Sequence, residues 1–237
     1  EMEAEWKNRK ARRAGRGEVE ALYTMQDAED VLKHFEGVAY GQVFKLNDNL
    51  TLRFTDVGHL LGSASIEIWA TEGASKKKIV FSGDIGNKNK PLIRDPQYIT
   101  EADYVVMEST YGNRYHKKDV NHVDSLARII QETLDRQGNV VIPAFAVGRT
   151  QELLERLVAG HDSFEVYVDS PLAVEATHVF KDNMLECYDE ETKALVERGI
   201  NPIDFPGLKL SITSEESKNI NFDMTPKVII SAAGMCD

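Results

Sequence analysis

Apolar and polar positions follow two different rhythms along the chain. From Leu50 onward Leu50, Leu52 and Phe54 alternate with polar residues, the period-two signature of a half-buried strand, and the run closes on Val57-Gly58-His59. A second alternating stretch, Ser65-Ile66-Glu67-Ile68-Trp69, follows the small residues Gly62-Ser63-Ala64. The apolar run Lys78-Ile79-Val80-Phe81 leads into Ser82-Gly83-Asp84, and Tyr104-Val105-Val106-Met107 leads into Glu108-Ser109. Three predicted strands therefore end in His59, Asp84 and Glu108.

Beyond Gly112 the period changes. Val123, Leu126, Ile130 and Leu134 share one face of a predicted helix over 121–137, with Gly138 as its terminator. A strand over 139–147, a helix over 149–158, a strand over 164–169, a helix opening at Pro171 and a strand over 227–231 follow. Such alternation, with near-continuous apolar strands, predicts a mainly parallel sheet covered on both faces. The change of rhythm near 112–116 predicts two domains, 1–112 and 113–237. The stretch 189–225 predicts only a helix over about 191–198 between irregular connections.

Composition narrows the functional classes. With 237 residues, 42% of them apolar, the chain can bury a sizeable core. No run reaches the roughly 18 residues of a membrane span, and the first sixteen residues are charged where a signal peptide would be apolar, so a cytoplasmic protein with no membrane partner is expected. Cys187 and Cys236 lie far apart and form no CxxC pair, which excludes a zinc ribbon or a disulfide framework. The net charge of −11 excludes a protein that coats nucleic acid along its whole surface. A local grip on RNA stays open, because metal ions in an acidic pocket add positive charge that the count omits. Lys7, Arg9, Lys10, Arg12, Arg13 and Arg16 read as a charged helix with a solvated face, with a phosphate-binding arm as the alternative.

Candidate chemistry sits at the strand ends. Asp84 lies close to Gly83 and Gly86, whose backbones can approach neighbours closely and aim the carboxylate into a cleft; a turn-capping aspartate is the alternative. His59 and Asp84 supply one imidazole and one carboxylate, ligand types that zinc accepts, yet a catalytic zinc takes three protein ligands plus water. Neither GxGxxG nor GxxxxGK[ST] occurs, which argues against mononucleotide binding.

In series, Gly58-His59-Leu60-Leu61-Gly62-Ser63-Ala64, Ser82-Gly83-Asp84-Ile85-Gly86, Glu108-Ser109-Thr110-Tyr111-Gly112 and Pro143-Ala144-Phe145-Ala146-Val147-Gly148-Arg149-Thr150-Gln151-Glu152 resemble the β-CASP branch of the metallo-β-lactamases. Asp169-Ser170-Pro171-Leu172-Ala173 and Ser231-Ala232-Ala233-Gly234-Met235 extend the resemblance, which spans about residues 56–237. That family includes RNA endonucleases, 5′-exonucleases of the ribonuclease J type and the pre-mRNA 3′-end nuclease. The resemblance implies an α/β fold: part of a metallo-β-lactamase αββα sandwich followed by a β-CASP-type domain. It implies two zinc ions and single-stranded RNA as substrate. Carried over by position, His59 matches a zinc ligand, Asp84 the aspartate bridging two zincs, and Glu108 the acid that orients a later histidine near the scissile phosphate. Arg149, Ser109 and Thr110 become candidate RNA contacts, with a salt bridge inside the fold as Arg149's alternative.

The departures matter as much. The family's His-x-His-x-Asp-His motif and its two later histidines do not occur, and His34, His116, His122, His161 and His178 lack the context of ligands. The chain reads as the middle section of a longer polypeptide, inactive alone. A metal-free RNA-binding or scaffolding paralogue and a metallo-hydrolase acting on a small ester or thioester stay open as alternatives, as does oligomerisation.

Overall fold

The computed structural model of the chain describes residues 2–115, 122–158 and 164–232. Residues 1–39 and 40–237 form separate compact units.

The first unit contains α1 (Met2–Arg13) and α2 (Met25–Leu32). In α1, Glu3 and Glu5 occupy the first turn and Lys10, Arg12 and Arg13 the last, the arrangement that complements a helix dipole. The Lys7–Glu3 pair reinforces it on an exposed face, and Lys10 lies over the Trp6 ring. A capping box between Thr24 and Asp27 starts α2.

The second unit opens with β1 (Val43–Lys45), β2 (Leu50–Asp56), β3 (Ala64–Glu72), β4 (Ser75–Phe81) and β5 (Tyr104–Val106), side by side in chain order. The ladders are antiparallel except that β5 runs parallel to β4. On the polar face of this sheet, Glu67 of β3 is fully buried. It accepts both guanidinium bonds of Arg53 (2.6 and 2.8 Å), pairs with Lys78 at 2.6 Å and takes the Thr55 hydroxyl at 2.7 Å. Burial pushes the Glu67 carboxyl up, but these hydrogen bonds and the Lys78 charge outweigh it and hold it down to about 2.

There follow α3 (His122–Asp135), β6 (Val140–Pro143), α4 (Arg149–Val158), β7 (Glu165–Asp169), α5 (Pro171–Asp182), α6 (Met184–Cys187), α7 (Glu190–Glu197), β8 (Leu208–Ser211), α8 (Ser214–Phe222) and β9 (Lys227–Ser231). Their four strands form an all-parallel sheet in the order β6-β9-β7-β8. Val166, Val168, Val228 and Ile230 from its middle strands are completely buried, packed with Leu154, Ala173, Val174 and Phe180 from the helices. Leu92 and Ile93, from the connection between β4 and β5, join this core, and Ile93 bridges Tyr188. The α/β architecture, a mixed sheet followed by a parallel one, is the one expected.

Several boundaries differ from the pattern reading. The strand expected over 139–147 stops at Pro143, after which Phe145 is largely exposed and Gly148 turns the chain at positive φ into α4. The helix expected over 121–137 ends at Asp135, and Asn121 lies outside the described residues. Its left-handed terminating residue is Gln137 (φ 60°), not Gly138. Gly138 donates to the Thr133 carbonyl, and a Cβ there would sit 3.1 Å from the Thr133 methyl; close approach, not handedness, is what calls for glycine. The stretch 189–225 holds more order than expected, with β8 and α8 besides the predicted helix. No helix among the described residues is long and apolar enough to cross a membrane.

Candidate functional site

His59, Asp84 and Glu108 lie on three adjacent connections at one end of the first sheet. Gly58 turns the chain out of β2 at φ 59°, with its N–H on Asp56, and a Cβ on it would strike the backbone of Arg94 and Pro96 at 2.7–2.8 Å. Past it, the Ser63 hydroxyl accepts from the amides of His59 (3.1 Å) and Leu60 (3.0 Å) and donates to the Leu60 carbonyl, closing a tight loop under the imidazole.

The Asp84 loop is packed against that one. Gly86 donates to the Val57 carbonyl at 2.9 Å, and a Cβ on Gly86 would fall 1.8 Å from the Gly58 oxygen. Two glycines meeting backbone to backbone thus draw the loops together, and His59 Nε2 comes within 3.9 Å of Asp84 Oδ2. Gly83 turns at φ 60° to aim Asp84 outward, leaving its side chain 72% exposed.

Glu108 closes the third side. Its amide donates to the Ser82 hydroxyl at 3.0 Å, one carboxylate oxygen accepts the Ile85 N–H at 2.7 Å, and the other accepts the Thr110 hydroxyl at 2.7 Å. The Ile85 amide, the Thr110 hydroxyl and the charge of nearby His59 hold the Glu108 carboxyl below its usual range. It is therefore an anion fixed to the residue that follows Asp84. Thr110 is thereby committed to Glu108, while Ser109 is exposed and accepts the Gly112 amide through its carbonyl.

Arg149 opens α4 with its side chain 63% exposed and 2.8 Å from Glu152. Pattern reasoning overlooked what connects it to His59. Lys90 donates to the His59 carbonyl at 2.8 Å and pairs with the second oxygen of Glu152 at 2.7 Å. Leu60 packs directly on Gly148, where a Cβ would approach within 2.2 Å. Nothing in the local sequence around Lys90 signals this contact, which joins segments far apart in the chain. His34, His122 and His178 are exposed, and His116 and His161 lie outside the described residues.

The donor chemistry fits part of a zinc site. An imidazole nitrogen and a carboxylate oxygen 3.9 Å apart, both open to solvent, match the ligand types zinc accepts. Among the described residues no three His, Cys, Asp or Glu side chains are placed to hold one metal ion together. His59 and Asp84 are two donors of suitable type, short of the three that such a site takes.

Comparison with known proteins bears on the family of the chain. Residues 150–237 match the Beta-Casp domain. The chain is 35% identical to a ribonuclease of Thermus thermophilus over 91% of its own length and 49% of that protein's. It is 30% identical to an RNase J-like protein of Methanocaldococcus jannaschii (90% of the chain, 49% of the relative) and 30% identical to transcription termination factor FttA of Thermococcus kodakarensis (92% and 34%). The chain spans about half the length, or less, of these curated relatives. The chain from α4 onward, which includes three of the four parallel strands, therefore carries a Beta-Casp domain, and most of the chain is related in sequence to proteins named as ribonucleases.

Proposed function

We propose that this chain contributes His59, Asp84 and Glu108 to a zinc-dependent phosphodiester hydrolase that cleaves single-stranded RNA. The observation that carries the reading is the convergence of the three strand ends: His59 and Asp84 lie 3.9 Å apart while Glu108 is tied to the amide next to Asp84. When bound, zinc would lower the pKa of a coordinated water toward ~7 and stabilise charge on phosphate oxygens. His59 and Asp84 would be its ligands from this chain. Glu108, kept ionised by its two donors, would accept the N–H of an imidazole brought in from elsewhere and fix that ring beside the scissile phosphate. Arg149, exposed at the start of α4, and the Ser109 hydroxyl would contact RNA phosphates. The names of the relatives, ribonuclease and RNase J-like protein, support RNA over a small ester.

Two donors fall short of the three a catalytic zinc takes, so by itself this chain should bind zinc weakly and cleave inefficiently. The same shortage favours a second reading, a metal-free RNA-binding paralogue. A cleavage assay with the full-length gene product separates them. The expected result is zinc-dependent cleavage of end-labelled single-stranded RNA, abolished by a chelator, with no turnover of a thioester. RNA that is bound but left intact with zinc present would establish the metal-free reading. Two tight zinc sites on the isolated chain would overturn the ligand count.

A further inference from the structure

The chain contains an ion-pair relay that the RNA-cleaving reading does not use. Lys90 and Glu152 are both mostly covered, with side chains 19% and 12% exposed, and meet at 2.7 Å. Lys90 comes from the β4–β5 connection and Glu152 from the first turn of α4. Each has a second partner that belongs to the candidate site. The Lys90 ammonium also donates to the backbone carbonyl of His59 at 2.8 Å, and the other oxygen of Glu152 holds Arg149 at 2.8 Å. An ordinary stabilising pair would need neither of these.

We propose that Lys90 and Glu152 are positioning residues that couple the imidazole side of the site to its phosphate-binding side. The proposal rests on the RNA-hydrolase reading for the roles of His59 and Arg149, and on geometry alone for the coupling. The His59 loop is also held by short local bonds to the Ser63 hydroxyl, by the Tyr40 hydroxyl on the Ser63 carbonyl, by the Gly86 amide on the Val57 carbonyl and by the Gly58–Gly86 contact. Lys90 adds a long-range polar bond to the backbone of His59 itself, clamping that carbonyl from the side facing α4. A covered ammonium with two acceptors has little freedom to wander, and the Glu152 carboxylate, shared between two cations, keeps the Arg149 fork at a fixed offset from that carbonyl. Supporting groups of this kind, which hold a ligand or contact residue without touching substrate, change metal affinity or activity by roughly 10- to 100-fold when removed.

The test uses Lys90→Met, Lys90→Arg and Glu152→Gln, and the charge-swapped double variant Lys90→Glu/Glu152→Lys. Readouts are amide hydrogen exchange at His59, Leu60 and Ser63 in this chain, thermal stability, and kcat and KM on labelled single-stranded RNA in the full-length gene product. Lys90→Met is expected to speed exchange at those amides and to lower kcat by about tenfold or more, and Glu152→Gln to raise KM through a loosened Arg149. Lys90→Arg, which retains donors for both partners, is expected to restore most of the protection. The swapped pair keeps the attraction between loop and helix but places a carboxylate against the His59 carbonyl, so it should recover thermal stability and not the protection or kcat. Unchanged exchange in Lys90→Met, or recovery of protection and kcat together with stability in the swapped pair, would overturn the coupling. If the unmodified protein cleaves no RNA, the hydrolase reading fails while the exchange data still decide the coupling.

Discussion

Replacing Gly86 by alanine tests whether the site is built by the contact between two loops. Gly86 is not at positive φ, so its backbone conformation is open to alanine and the substitution isolates a steric effect. The added Cβ would lie 1.8 Å from the Gly58 oxygen, 2.2 Å from its carbonyl carbon and 2.7 Å from the His59 nitrogen. An ordinary carbon–oxygen contact needs more than 3 Å, so relief requires the loops to part by more than about 1 Å. All three atoms are backbone, which cannot rotate away. Overpacking of this severity costs about 1–3 kcal/mol, or roughly 2–4 °C in Tm per kcal/mol for a chain of this size. The functional cost should exceed the structural one, because a displacement of about 1 Å in a reacting group can lower a rate by ~10²-fold, and here it falls between His59 and Asp84. Circular dichroism melting together with RNA cleavage by the full-length gene product would measure both. A Gly86→Ala protein with unaltered Tm and rate would refute the claim that the Gly58–Gly86 contact sets the spacing of the site.

Further outcomes follow from groups with a buried polar history. Glu67→Gln should destabilise the first sheet by about 3 kcal/mol in urea unfolding, since Lys78 and the partly exposed Arg53 lose their shared anion. Because the Glu67 carboxyl is held down to about 2, its contribution is complete above about pH 4.5 and disappears as pH falls toward 2; a depression of that size is worth about 3 kcal/mol, so the variant should show a visibly flatter acid limb. Gln151 is fully buried, accepts the Gly148 N–H at 2.7 Å and donates to Ala146 and Thr177; Gln151→Leu should cost about 2–4 kcal/mol by denaturant titration through stranded partners. Tyr188 is completely buried and its hydroxyl has no hydrogen-bond partner among the described residues, so Tyr188→Phe should be neutral or raise stability by about 1 kcal/mol; a clear loss of Tm would contradict that.

How far the sequence carries the account depends on the range of the forces involved. The stretch from Leu50 to Phe54 was legible because a half-buried strand imposes period two on consecutive residues, and the runs before Asp84 and Glu108 were legible from their consecutive apolar residues, although Tyr104, Val105 and Val106 are exposed. The helix at Pro171 was legible because Ser170 caps it and proline suits its first position. The four-residue strand Leu208–Ser211 was not: it is too short to show a period, and only pairing with Glu165–Asp169 makes it a strand. The helix Ser214–Phe222 does carry a local signal, the capping box from Thr213 to Glu216. At the site, the motifs exposed His59, Asp84 and Glu108 as ends of separate strands. What fixes their spacing is contact between segments distant in sequence, Gly58 on Gly86 and Lys90 on both His59 and Glu152, and no local pattern encodes such contacts.

The most direct test of the account is the rate of zinc-dependent cleavage of end-labelled single-stranded RNA by the full-length gene product carrying Asp84→Asn. Asparagine keeps the size of the side chain and removes the anionic donor. The account predicts an unchanged fold by circular dichroism with cleavage reduced by ~10²-fold or more, the scale of losing a group that acts in the transition state. Cleavage at the unmodified rate would contradict it, since the exposed carboxylate beside His59 would then play no part in the chemistry.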